Sequence, residues 1–508
     1  MAVIVDGSNL NIEGVVRVAR GQEGVEIAPE AMKKVKACRA IVDKMVEEKA
    51  SIYGVTTGIG ELSEVVLTPE QVRRFQKYLV YSHAAGCGEP VAIDDARAAM
   101  LSRMNVLCRG HSGLRPVVVQ TLADMLNKGV TPVMCQKGSV GASGDLSPLG
   151  QMALVVIGEG EAFFEGERMT GADAMKRAGV PIIEFEARDG LATINGSNLT
   201  AGMGALQIHD AERWFKTSEI AAAMTLSSLN ANMQAFDERI HKARGYPGAV
   251  ASSSNIRRLT DGSDFLTQKG KRIQDAYSLR STPQVMGAAR DTLRYARDTF
   301  LIELNGVGDN PIFFTENGGT CLTGANFQGT PLAFGLDFLG IAVTTVCVIS
   351  ERRLNRLVNP NLSAGLPPFL TKGAGMFSGM MLAQYTADAM VGENRILSAP
   401  GSTGSIPAAA DQEDFVSMSM TSAIKGKQIL SNACTVLGIE LMAAAQALDF
   451  RKSLKTGPGI RAAYEVVRKH VAHLEEDRPL HSDINKMTEV VRSGEILEAV
   501  ESAVGALD

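Results

Sequence analysis

The chain has no excess of positive charge. Its 51 Lys and Arg against 56 Asp and Glu give a formal net charge of −5, and the two signs are interspersed. No basic stripe is therefore available for nucleic acid or an anionic membrane surface. A signal peptide is not readable either: MAVIVDGSNLNIEG carries acids where a basic flank and a long apolar stretch are required, so an unprocessed, cytoplasmic chain is expected. The longest apolar stretch, around Phe338 to Ile349, falls short of the roughly 18 to 20 residues that cross a bilayer and is expected to be a buried helix. Cys38, Cys87, Cys108, Cys135, Cys321, Cys347 and Cys434 form no C-x-x-C pair, and their odd number gives no support to a disulfide framework, so free thiols are expected. Internal repeats and low-complexity segments are absent. What remains is a chain of 508 residues, long enough for about three domains or one large helical domain. The exclusions favour small-molecule chemistry.

The apolar spacing predicts a mainly α protein. Pro29 occupies a first-turn position, and Met32, Val35, Cys38, Val42 and Met45 follow at steps of three and four. Thr68-Pro69-Glu70-Gln71 combines an N-cap, a first-turn proline and a capping-box Gln, after which Val72, Phe75, Leu79 and His83 fall on one face. Between these helices Tyr53-Gly54-Val55-Thr56-Thr57-Gly58-Ile59-Gly60 reads as a tight loop able to approach a ligand closely. Long runs rich in Ala, Met and Leu, at 202–236, 336–358 and 415–450, predict a central bundle of enclosed helices. Breaks at 359–372 and 399–407 separate them. The expected division is an N-terminal region 1–200, a long-helix bundle 201–455 and a helical tail 456–508.

The densest cluster of small residues is Lys137-Gly138-Ser139-Val140-Gly141-Ala142-Ser143-Gly144-Asp145-Leu146-Ser147-Pro148-Leu149-Gly150. A phosphate loop is excluded because no Lys-Ser/Thr follows the glycines. A hydrolase elbow, G-x-S-x-G, is excluded because its fifth position is Asp145. Two readings remain open: a glycine-rich connection, or a self-cyclising tripeptide. In the second, the Gly144 amide nitrogen attacks the Ala142 carbonyl, and two dehydrations close a five-membered ring and turn Ser143 into a dehydroalanine.

The segment resembles the signature of the histidine and phenylalanine ammonia-lyase family, G-[SAT]-[VL]-[GS]-A-S-G-D-L-x-P-L, and the resemblance extends over nearly the whole chain. It implies an aspartase/ammonia-lyase-like helical fold and a homotetramer whose active sites are shared between subunits. It further implies a carbon–nitrogen lyase acting on an amino acid through 4-methylidene-imidazol-5-one (MIO) formed from Ala142-Ser143-Gly144, with no metal, nucleic acid or membrane required. On the same grounds Tyr53 matches the catalytic base and Asn195 an asparagine beside the cofactor. In Gln274-Asp275-Ala276-Tyr277-Ser278-Leu279-Arg280, Arg280 matches the group that holds the substrate carboxylate, as a bidentate fork, and Tyr277 a tyrosine near the cofactor. Gln274 belongs to the same substrate-binding motif, and Phe327 matches a pocket wall. A phenol ordinarily titrates near pH 10, so the role assigned to Tyr53 requires a site that favours the phenolate.

Substrate choice is read from two places. Ser82-His83 and Gln412-Glu413-Asp414 resemble the histidine-type members, in which the glutamate faces the substrate imidazole; the implied reaction converts L-histidine to trans-urocanate and ammonia. Glu413 is expected to open a helix, where the dipole keeps an acid ionised. Phe415 and Asn326-Phe327-Gln328-Gly329-Thr330-Pro331 depart from the histidine pattern toward the phenylalanine type. A lyase or 2,3-aminomutase for phenylalanine, tyrosine or tryptophan therefore stays open as the alternative.

Overall fold

The computed structural model describes residues 2–508, and of Arg73 the backbone alone. The protein is mainly helical, as the apolar spacing predicts. Its strands are two to four residues long and pair into small sheets of two or three. Residues group into two compact units: Met1–His209, Ala296–Asp337 and Pro400–Ile424 form the first, and Asp210–Tyr295, Phe338–Ala399 and Lys425–Asp508 the second.

In the first unit the local signals act where they are read. Pro29 opens the helix Pro29–Glu47, which buries Val35, Cys38 and Val42. Thr68 and Gln71 cap each other reciprocally and start the helix Pro69–His83. Helix Ile93–Leu107 is different, because every residue from Asp95 to Leu107 is buried. Its polar side chains must find partners inside the protein. Arg97 donates to the carbonyls of Val18 and Leu126, near the C-termini of helices Ile12–Ala19 and Pro116–Lys128, where backbone acceptors lack intrahelical donors.

The second unit is built largely from parts of long helices, Asn198–Ser228, Thr282–Asn305, Thr330–Val358 and Ser419–Asp449, with Met381–Leu397 beside them in the chain order. Three of the long helices are locked by one buried ion pair. Glu440 accepts from Arg353 Nε and Nη2 at 2.6 and 2.8 Å and from the Thr225 hydroxyl at 3.0 Å, and both charged side chains are fully buried. Such a pair is tolerated only when its lone pairs are met in this way. Residues 456–508, which fall within the second unit, carry helices Pro458–His470, His481–Ser493 and Glu495–Val504.

Helix boundaries depart from the expected runs for identifiable reasons. The run at 202–236 ends as a helix at Ser228, because Asn230 adopts a left-handed conformation (φ 49°) before a short 3-10 turn at Met233–Phe236. The apolar stretch at 338–349 lies within a 29-residue helix, Thr330–Val358, which begins further upstream with Pro331 in its first turn. That helix and Ser419–Asp449 are long and apolar enough to cross a membrane by length and composition, a correction to the shorter stretch expected; 72% and 83% of their most apolar windows are buried, as in core helices. All seven cysteines are free thiols.

Candidate active site

The Ala142-Ser143-Gly144 tripeptide sits in the loop before helix Leu146–Val156 of the first unit. It is anchored on both sides. Upstream, Met418 N–H donates to Val140 O at 2.9 Å and Ser417 Oγ to Gly141 O at 3.2 Å. Downstream, Gly144 forms a parallel bridge with Gly196, and Asp145 N–H donates to Gly196 O at 2.8 Å. Gly144 has φ 78°, and a Cβ there would lie 2.2 Å from the Gly196 carbonyl carbon, so only glycine fits. The Gly144 N–H has no acceptor among the described residues. Ser143, half-buried, donates through Oγ to Glu413 Oε1 at 2.8 Å. A free amide nitrogen, small flanking side chains and a serine hydroxyl already engaged by a carboxylate are the features a cyclising tripeptide requires, so these residues fit the methylidene-imidazolone.

Tyr53 is carried by a compact turn. Ile52 O accepts the N–H groups of Val55, Thr56 and Thr57 at 3.0–3.2 Å, and Ile52 N–H donates to Thr56 Oγ1 at 2.8 Å. Gly60 N–H donates to Tyr53 Oη at 3.0 Å, placing a donor on the oxygen where phenolate charge would sit. Asn195 caps the C-terminal end of helix Asp189–Ile194. It is buried, its Nδ2 donates to Asn310 O at 2.8 Å, and its Oδ1 has no partner among the described residues. His83 ends helix Pro69–His83, with Nδ1 2.7 Å from Leu79 O. A carbonyl only accepts, so Nδ1 carries hydrogen and Nε2 is left for a ligand. Phe327 is half-buried, and its carbonyl accepts from Ser197 Oγ at 2.9 Å.

Glu413 does not open a helix, contrary to expectation. Ala409, Ala410 and Asp411 all take left-handed conformations (φ 50°, 54° and 64°), which turn the chain back so that Ala408 and Glu413 pair in an antiparallel bridge. The helix starts only at Ser419, after Met418 with φ 54°. Contact with Ser143, and not a helix dipole, defines the surroundings of Glu413.

Gln274, Tyr277 and Arg280 lie together in the second unit. Arg280 stacks over the Tyr277 ring at 4.6 Å from its centroid. With the Gln274 amide turned so that its oxygen faces the guanidinium, Gln274 accepts from Nη1 and Nη2 at 2.9 and 3.3 Å. Tyr277 is 72% exposed, and Arg280 Nε has no partner among the described residues. The motif is thus a presented surface feature of that unit.

Several supporting residues were not singled out from the sequence. Asp145 is fully buried between Ser139 and Thr200, accepting from Thr200 N–H at 2.8 Å; burial pushes its carboxyl up to about 6 against the pull of these donors. Burial, reinforced by the Asp145 charge, pushes Glu303 up to about 7. Asp309 is held by two fully buried arginines, Arg103 at 3.2 Å and Arg188 at 2.8 Å. Arg188 Nη1 also donates to Asn310 O, the carbonyl that takes the Asn195 amide. Asp145 stands inside the Ala-Ser-Gly-Asp segment, a signal that could have pointed to it; Asp309 and its arginines become a cluster only through long-range folding. A cavity of about 1130 Å3 in the first unit is lined by Arg39, Thr56, Leu67, Arg115 and Phe185 and by none of the candidate residues, so its size does not locate the chemistry.

Residues 10–469 match the sequence profile of a family described as "Aromatic amino acid lyase". A histidine ammonia-lyase of Caldanaerobacter subterraneus subsp. tengcongensis is 46% identical over 500 residues, covering 98% of each chain. Among solved structures, tyrosine aminomutase from Streptomyces globisporus superposes with a TM-score of 0.95 at 38% identity over the full length of both chains. Histidine ammonia-lyase from Trypanosoma cruzi gives a TM-score of 0.93 at 34% identity, covering 99% of this chain and 96% of the other.

Proposed function

Because this chain belongs to the aromatic amino acid lyase family, we propose that it is a carbon–nitrogen lyase that removes ammonia from L-histidine to give trans-urocanate. The observation that carries this reading is the contact of Ser143 with Glu413, which brings a residue of the histidine pattern to the tripeptide itself. The tripeptide Ala142-Ser143-Gly144 is the source of the cofactor: the Gly144 nitrogen closes on the Ala142 carbonyl carbon, and two waters leave. The methylidene-imidazolone so formed supplies an electron-poor alkene, an electrophile that no unmodified side chain offers.

The chain's own groups bind, orient and move the proton. Arg280 holds the substrate carboxylate through its guanidinium fork, with Gln274 and Tyr277 fixing that fork. His83 Nε2 and Glu413 are the polar partners of the imidazole, and Phe327 is the apolar wall. Tyr53 removes the β-proton. The electron pair of that C–H bond forms the α,β double bond as the C–N bond breaks, and ammonia and the unsaturated acid leave. Asn195 is assigned a polar contact at the reacting centre, and its buried, unpartnered Oδ1 supports that role. Holding reactants near attack geometry is worth several kcal/mol of barrier, on the order of 7–11 in the best cases. The exposure of Tyr277 supports a homotetramer in which Gln274, Tyr277 and Arg280 serve the site of another copy. In this reading residues 1–200 carry the cofactor and base, 201–455 the bundle, and 456–508 the tail, in a cytoplasmic enzyme.

The test is to incubate the protein separately with histidine, phenylalanine, tyrosine and tryptophan and to identify ammonia and the carbon product. Urocanate with ammonia from histidine alone is expected. Preference for another amino acid refutes the substrate assignment. The close structural likeness to a tyrosine aminomutase favours one second reading, an aminomutase, for which a β-amino acid would appear without stoichiometric ammonia.

A further inference from the structure

We infer that Gln76 is a positioning residue that sets Tyr53 against Asn195; the inference rests on the assignment of Tyr53 as the base. Gln76 is fully buried in the middle of helix Pro69–His83. Its position follows Val72 by one turn and precedes Leu79 and Val80, so it occupies the buried face where an apolar side chain is the ordinary choice. A buried primary amide has to be satisfied at both ends or it destabilises the fold. Here each end goes to a different part of the site. Gln76 Nε2 donates to Gly54 O at 3.1 Å, beside Tyr53, and Gln76 Oε1 accepts from Leu191 N–H at 3.0 Å.

Leu191 passes the constraint on. It is the third residue of helix Asp189–Ile194, so its N–H has no intrahelical acceptor and requires one from elsewhere. Its carbonyl accepts the N–H of Asn195 at 3.0 Å. One glutamine therefore connects the residue after Tyr53 to the turn that ends in Asn195. The surfaces on either side are too close for side chains: a Cβ on Gly54 (φ 64°) would lie 2.3 Å from Leu191 Cδ2, and one on Gly190 would lie 2.6 Å from Gln76 O.

The connection has no substitute in the hydrogen bonding of the base-bearing loop. Among the described residues, the hydrogen bonds of residues 52–60 run to partners within 50–67, apart from the one to Gln76. Local bonds shape the turn, Ile52 and Val55 pack it against Cys38, Val42 and Phe313, and Gln76 is its one hydrogen-bonded tie, among the described residues, to the turn that ends in Asn195. The tripeptide makes no hydrogen bond to this glutamine among the described residues; its anchors are Gly196, Ser417 and Met418.

The test compares Gln76→Met, Gln76→Glu and Tyr53→Phe with the unsubstituted full-length protein, using histidine and β-deuterated histidine. Gln76→Met removes both hydrogen bonds at similar length. It is expected to lower kcat by about 100-fold, the effect of a displacement near 1 Å, with KM changed much less and a larger primary isotope effect. Hydrogen exchange of the peptide covering 50–67 should accelerate, while the peptide containing Ala142-Ser143-Gly144 keeps the mass it has in the parent. Gln76→Glu separates the two bonds: a protonated glutamic acid accepts from Leu191 and donates to Gly54 as the amide does, and a carboxylate cannot donate. Its kcat should approach that of the parent at low pH and fall as pH rises through the titration of the introduced acid; this profile carries the test if Gln76→Met does not fold. Parent-like kcat and isotope effect in Gln76→Met, or a Gln76→Glu profile parallel to the parent, overturns the inference. If Tyr53→Phe abolishes turnover in that same experiment, positioning alone has failed; if Tyr53→Phe turns over normally, the assignment of the base has failed instead.

Discussion

Replacing Glu303 with Gln should stabilise the protein at pH 8 to 9 and leave its stability almost unchanged at pH 5. Burial and the nearby Asp145 charge raise the Glu303 carboxyl from 4.5 to about 7 in the folded chain. The folded protein therefore binds this proton more tightly than the unfolded chain does. The resulting stability is fully present below about pH 4.5 and is lost as pH rises through about 7. Gln keeps the shape of the neutral acid at every pH, so the variant escapes that loss. Each tenfold change in proton affinity is worth about 1.4 kcal/mol, which sets an upper limit of roughly 3 kcal/mol above pH 8. Glu303 keeps some contact with solvent, so about 1–3 kcal/mol is the expected gain. Urea unfolding followed by far-ultraviolet circular dichroism, at one protein concentration and at pH 5, 7 and 9, gives the midpoints to compare. Equal midpoint differences at pH 5 and pH 9, or a variant less stable than the parent at pH 9, would refute the reasoning.

The remaining predictions are more direct. The peptide containing Ala142, Ser143 and Gly144 should be lighter than its sequence by the mass of two waters, and Ser143→Ala should fold normally but lose nearly all turnover; an unmodified peptide in active protein ends the mechanism. Arg280→Lys keeps the charge but loses the planar fork, so it should raise KM as well as lower kcat, and steady-state kinetics with unchanged constants would remove Arg280 from the carboxylate site. Glu440→Ala leaves Arg353 charged and buried without its partner, at a cost of about 3–5 kcal/mol, whereas the double change Arg353→Met with Glu440→Leu should recover much of it; denaturation midpoints that fall equally in both would contradict this account.

What could be read in advance follows the range of the interactions involved. The capping box at Thr68 and the proline at 29 act within one turn, and both helices begin where those residues predict. The motif around Ser143 stood out because its small residues lie next to one another in the chain, and the family it resembles is the one the chain belongs to. Gln76 was half legible: a polar residue on a buried helix face signals a specific partner, but Gly54 and Leu191 lie 22 and 115 residues away and no local pattern names them. The pairing of Arg103 and Arg188 with Asp309 spans 206 and 121 residues and carries no local signal at all. Glu413 shows the opposite failure. Its neighbours read as the start of a helix, but three consecutive left-handed residues reverse the chain and bring the acid to Ser143.

The same geometry weighs the conflicting indications of substrate. Phe415 departs from the histidine pattern, and it is 57% exposed in this chain. Gln328 also departs, and its Oε1 is engaged by the Thr330 hydroxyl at 3.0 Å. Glu413, which follows the histidine pattern, touches the serine from which the alkene would form. His83 follows it too, with Nδ1 committed to its own helix and Nε2 available. A group discriminates between ligands most strongly where its loss leaves a buried polar atom unpaired, at about 1–3 kcal/mol for each such atom. An exposed phenylalanine cannot impose a penalty of that kind on a bound imidazole, because water remains as a partner. Glu413 is half-buried and lies at the tripeptide, hydrogen-bonded to Ser143 Oγ, which puts its carboxylate where a polar group of a bound substrate would need a partner. In the proposed reading substrate choice rests on Glu413 and His83, because of the two departures one is exposed and the other is engaged by Thr330.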